Sequence, residues 1–146
     1  MALREILIVP DPRLKKECEP VEAVNDEIKT LLNDMLETMY AAPGIGLAAP
    51  QIGVMKRVVV MDVSDDKDKP EPLKLINPEI IWESEYTSVY QEGCLSIPEQ
   101  YADVERPAEV EVSWTDPEIP DLLDHFCNHI LPHSIVASRQ GSGDLP

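Results

Sequence analysis

The sequence predicts an α+β fold, with short antiparallel strands around one or two helices, and three observations carry that expectation. Residues 26–39 keep the apolar spacing of an amphipathic helix. Several later segments are short and aliphatic and are bounded by proline or charged loops. The 14 prolines are spread along the 146 residues, which favours short strands and loops over long helices.

Taken in order, Ile6-Leu7-Ile8-Val9 reads as a short strand or extended segment running into the turn PDPRLKK. Asn25 or Asp26 can cap the helix that follows. Its stripe is Ile28, Leu31, Leu32, Met35, Leu36 and Met39, one face turned to a core. Pro43 and the glycines of AAPGIGLAAPQIG end it. Val58 to Met61 reads as a buried strand, and residues 64–72 (SDDKDKPEP) as a charged loop. Residues 73–82 and 104–114 are expected to be further strands. In the second, Val104, Val110 and Val112 are interleaved with Glu105, Glu109 and Glu111, as on a sheet with one wet face. No internal repeat is visible.

Composition shifts near Pro117. The remaining segment holds all three histidines and ends in a Ser/Gly-rich tail. A short helix is expected over residues 121–131, stopped by Pro132, with poor order beyond His133. The expected organisation is one domain over residues 1–146, with residues 117–146 divergent.

Acidic residues outnumber basic ones 28 to 12, a formal charge of −16. A nucleic-acid binder needs a basic footprint and an anionic membrane attracts one, so direct binding to either is not expected. Cys18, Cys94 and Cys127 form no CxxC pair, which argues for a reducing compartment. The apolar stretch before Pro10 is too short for a signal sequence, and no later run is long enough to span a membrane. The expectation is a cytoplasmic monomer.

Two motifs carry chemistry. In Gly44-Ile45-Gly46-Leu47-Ala48-Ala49-Pro50-Gln51 the small residues let backbone approach another element or a ligand. An edge here can pair with an extended peptide, and Gln51 brings an amide that donates and accepts. The plain alternative is a tight helix-to-strand connection. In Glu92-Gly93-Cys94-Leu95-Ser96-Ile97-Pro98 the cysteine is a metal ligand, a nucleophile or a small buried hydrophobe.

Together, GIGLAAPQ and EGCLS resemble the first two signature motifs of the peptide deformylases. PDPRLKK, DMLETMYAAPGIGLAAPQIG and CLSIPEQYADVERPAEVEV add to the resemblance, which covers about residues 3 to 116. It implies a deformylase-like fold and a metal-dependent hydrolase that removes the formyl group from the N-terminal methionine of new proteins. Its partners would be N-formylmethionyl nascent peptides, met at the ribosome. It implies a divalent metal, Fe2+ first, with Zn2+ or Ni2+ as alternatives. Cys94 would be one ligand, joined by two histidines of an H-E-x-x-H helix. Gln51 and the Leu95 N–H would hold the formyl oxygen, Gly44, Ile45 and Gly46 would line the peptide edge, and Glu92 would stand near the same cleft.

The third motif departs from the family pattern. His125-Phe126-Cys127-Asn128-His129 keeps the i, i+4 histidines but has Phe126 in place of the glutamate. A second register matches Leu123-Asp124-His125-Phe126 and places Asp121 at the first histidine and Leu122 at the glutamate. His125 and His129 are the metal-ligand candidates, and only His125 is kept in both registers. Asp124 and Glu92 remain as alternative proton carriers. Three readings stay open: an active metallo-deformylase, a metal-free or inactive member that binds formyl-methionyl peptides without turnover, and a hydrolase with Cys94 as nucleophile and His125 as base.

Overall fold

The computed structural model describes residues 2–64 and 66–118, and the backbone of His125–His129. Its helix α1, Asp26–Ala41, starts where the Asn25 side chain accepts from the Ile28 N–H at 3.0 Å, satisfying a donor that has no partner within the helix. Asp26 and Glu27 stand in the first turn, where the helix dipole favours negative charge. The anticipated stripe faces inward: Ile28, Leu31, Leu32, Met35 and Met39 are buried, and Leu36 packs partly against them.

Strand β1 (Gly46–Ala48) follows, then a 3-10 turn (Ala49–Ile52) and strand β2 (Val58–Met61). β3 (Leu73–Glu83) pairs antiparallel with β2, and β4 (Thr87–Cys94) and β5 (Ile97–Pro107) form a separate two-stranded hairpin. β6 (Val110–Thr115) returns to β3, and β7 (His125–His129) pairs with β6. The larger sheet therefore runs β1-β2-β3-β6-β7. Antiparallel sheets and one described helix make this the α+β architecture expected.

β2 explains how the core divides. Successive strand residues point to opposite faces, and all four β2 residues are buried. Val58 and Val60 pack with the helix stripe, Leu47, Ile52 and Ile76. Val59 and Met61 pack with Leu75, Val112 and Trp114 on the other face.

Two expectations need correction. Residues 104–114 are not one strand: β5 belongs to the hairpin and β6 to the larger sheet, with a break at Ala108 and Glu109. The break is held in place, because Ala108 N–H donates to the Tyr86 carbonyl and Ser84 exchanges bonds with Glu109. The helix expected over residues 121–131 is replaced at His125–His129 by a strand in register with Val110–Trp114. Backbone pairing with β6 prevails there over the local pattern. The rest of that expected helix, and the tail beyond His133, lie outside the described residues. Residues 6–9 form an extended arm rather than a sheet strand, and the charged loop lies where expected.

The arm is tied to the helix. Ala2 N–H donates to Asp34 at 2.8 Å, and the Arg4 guanidinium makes two bonds to the other Asp34 oxygen at 2.9 and 2.7 Å. Arg4 N–H donates to Thr38 Oγ1 at 2.9 Å. These bonds hold the Asp34 carboxyl below the usual carboxylate range, the Arg4 side chain contributing most.

Candidate functional site

The site forms where β1 meets the β4–β5 hairpin. A cleft of about 500 Å³ lies between Pro43–Gly46 on one side and Gln91, Gly93, Cys94, Leu95, Ile97 and Tyr101 on the other. The two sequence motifs are thus opposite walls of one cavity. Their packing explains Gly44: a Cβ there would stand 2.6 Å from Leu95 Cδ1 and 3.2 Å from Leu95 Cγ. Gly93 likewise leaves room for the ring of Tyr101, its partner across the hairpin.

β1 is an outer strand of its sheet. Gly46, Leu47 and Ala48 pair with Met61, Val60 and Val59, so among the described residues their other side has no strand beside it. Such an edge can accept an extended peptide through main-chain hydrogen bonds. The Ile45 carbonyl is held by the Asp62 N–H at 2.9 Å. Asp62 is braced by Ser64 and by the Tyr40 hydroxyl at 2.6 Å. Burial and that bond push the Tyr40 hydroxyl up to about 12.

Gln51 sits on the 3-10 turn and is fully buried behind the cleft wall. Its Oε1 accepts from the Ala48 N–H at 3.0 Å. Its Nε2 donates to Ser96 Oγ at 3.1 Å and to Cys94 Sγ at 3.7 Å. Cys94 is half-buried and ends β4, and Leu95 and Ser96 make the hairpin turn. Among the described residues the Leu95 N–H has no backbone acceptor.

Glu92 stands elsewhere. It lies between Gln91 and Gly93, which line the cleft, and strand alternation turns it to the opposite face. There it is buried and paired with Arg106 through bonds of 2.8 and 3.1 Å. The structure therefore brings Gly44, Ile45, Gly46, Cys94 and Leu95 to the cleft, with Gln51 behind them, and leaves Glu92 in the hairpin.

Sequence reasoning missed Ser96, Arg106 and Tyr101. Ser96 carried a signal, since it is the last residue of EGCLS. Arg106 and Tyr101 depend on hairpin register, which no local pattern revealed.

Among the described residues no three His, Cys, Asp or Glu side chains gather closely enough to hold a metal ion. Cys94 and Glu99 are the two residues of those types that line the cleft. The side chains of His125 and His129, and all of Asp121, Leu122, Leu123 and Asp124, lie outside the described residues. On a strand, positions four apart are separated by about 13 Å between Cα atoms. One helical turn would bring them to about 6 Å.

The chain was compared with known proteins. The model of the polypeptide deformylase family matches residues 3–122. A peptide deformylase of Phenylobacterium zucineum (strain HLK1) is 59% identical over 114 residues, covering 78% of this chain and 68% of that protein. One from Rhizorhabdus wittichii is 58% identical over 121 residues, covering 80% and 68%. Among solved structures, the peptide deformylase from Thermotoga maritima superposes with a TM-score of 0.79 at 34% identity, covering 89% of this chain and 84% of that one. One from Legionella pneumophila gives 0.78 at 41%, covering 88% and 73%. The chain belongs to the polypeptide deformylase family, and its fold is that of the peptide deformylases. The family match ends before His125 and His129.

Proposed function

We propose that this chain is a peptide deformylase, hydrolysing the formamide C–N bond at the N-terminal formylmethionine of newly made proteins. The observation that supports this most is the convergence of Gln51, Cys94 and Leu95 on a cleft walled by an open strand edge. The peptide adds as a strand along Gly44–Gly46, and the methionine end reaches the hairpin turn. Attack on the formyl carbon places negative charge on its oxygen, which the Leu95 N–H and Gln51 Nε2 receive. Gln51 can do so by exchanging its long contact with Cys94 Sγ for a shorter bond to that oxygen.

Deformylase chemistry calls for a divalent metal, Fe2+ first, with Zn2+ or Ni2+ as alternatives, to activate the attacking water. The described residues bring Cys94 and Glu99 to the cleft and not a set of three gathered donors, so they do not by themselves fit a metal centre. The ligand roles of Cys94, His125 and His129 belong to this proposal. Glu92 is a poor proton carrier, since both its oxygens bind Arg106 and it faces away from the cleft. The reaction would take place in the cytoplasm on nascent peptides.

A second reading is an impaired member that binds formyl-methionyl peptides without turnover. It is favoured by the strand at His125–His129, where the family motif calls for a helix, and by the absence of the motif's glutamate. Metal analysis of the purified protein, run beside a formyl-Met-Ala assay, separates the two. Stoichiometric metal with turnover supports the enzyme. Saturable formyl-peptide binding with neither metal nor turnover supports the second reading.

A further inference from the structure

We propose that Ser96 is a positioning residue, acting through Gln51 to aim that amide's N–H at the reacting end of the cleft. This rests on the reading of Gln51 as a receiver of the formyl oxygen. The Gln51 amide has two ends, and only one of them can stabilise negative charge. Ala48 N–H donates to Oε1 at 3.0 Å, so turning the amide over would set two donors face to face. That bond decides which end is which, but it leaves the NH2 group free to swing out of line. Ser96 Oγ, 3.1 Å from Nε2, takes one of the two amide hydrogens. The other hydrogen then lies toward Cys94 Sγ, at the cleft.

Both residues are held by main chain as well. In the extended arm, Leu7 N–H donates to the Gln51 carbonyl at 2.7 Å and Val9 N–H to the Ser96 carbonyl at 3.0 Å. The arm thus joins the 3-10 turn carrying Gln51 to the hairpin turn carrying Ser96. Gln51 is fully buried and Ser96 only 1% exposed, so little solvent is at hand to replace the hydroxyl. Loss of a buried acceptor leaves its donor unsatisfied, which an amide relieves by reorienting.

The test uses the full chain and two readouts. In NMR spectra of the wild-type protein, one Gln51 side-chain amide proton should show a cross-relaxation peak to the Ser96 β-protons, and both should exchange slowly with water. Ser96→Ala should broaden those signals or speed their exchange, and Ser96→Thr should restore them. In the formyl-Met-Ala assay Ser96→Ala should lower kcat about tenfold, the effect of one lost hydrogen bond, with KM within about twofold. Ser96→Thr should recover most of the loss. A Gln51 amide with no peak to Ser96 in the wild type, or unchanged in Ser96→Ala, overturns the proposal, even if the Ala variant fails to fold in the first case. If the wild type has no turnover, the deformylase reading fails, while the amide signals still decide the role of Ser96.

Discussion

The amide of Gln51 is held at both ends within the protein. Its Oε1 and one Nε2 hydrogen serve Ala48 and Ser96, and its 3.7 Å contact with Cys94 Sγ is the weakest of the set. Gln51→Ala is expected to reduce kcat on formyl-Met-Ala by about 10²–10³-fold, the usual effect of removing one oxyanion donor. Equal losses in kcat and kcat/KM would identify an interaction made only in the transition state. The Glu92–Arg106 pair lies in the hairpin, with side chains 4% and 16% exposed. Arg106→Ala leaves a buried carboxylate unpaired, so urea unfolding should show a loss of about 3–5 kcal/mol. At this scale Gln51, Cys94 and Gly44–Gly46 could be singled out because each stands inside a compact motif, and the structure places them at one cleft or directly behind its wall. Glu92 stands in the same motif, yet strand alternation turns it away from the cleft, and its partner is 14 residues further on.

Elements differ in how plainly their residues announce them. Helix α1 was legible because its cap and its 3.6-residue stripe agree, and the structure uses both. Leu32→Ala, at a site 1% exposed, should cost about 2–5 kcal/mol, and Asn25→Ala about 0.5–2 kcal/mol, both measured by denaturant unfolding. The break between β5 and β6 was harder to see, because alternation of valine and glutamate continues across it. Pro107 was the available signal, since proline cannot donate to a ladder and sits at strand edges or ends. β7 could not be read locally at all: His125–His129 takes its conformation from pairing with Val110–Trp114. The arm adds a pH-dependent tie to the helix. Asp34 has a lowered folded carboxyl value because of Arg4, so its contribution is fully present above the unfolded carboxylate range near ~3.9. It is lost as pH falls through the lower folded value. In acid titrations followed by circular dichroism, Asp34→Asn should therefore lose stability relative to wild type at neutral pH and converge with it at low pH.

For the molecule as a whole, the family match spans residues 3–122, and the cleft rests on the contact between the β1 edge and the hairpin. A formal charge of −16 makes direct nucleic-acid binding unfavourable. Among the described residues no helix is long and apolar enough to cross a membrane. The overall class was legible because GIGLAAPQ and EGCLS are specific. Completion of a metal site was not, because ligand geometry depends on segments that do not carry the family motif. The central claim, that this chain is a deformylase, is tested most directly by turnover of formyl-Met-Ala by the purified protein with Fe2+ supplied anaerobically, beside Cys94→Ala. Formate release by the wild type and none by the variant is the expected result. Formate release that is absent from the wild type, or equal in the Cys94→Ala protein, would contradict the claim.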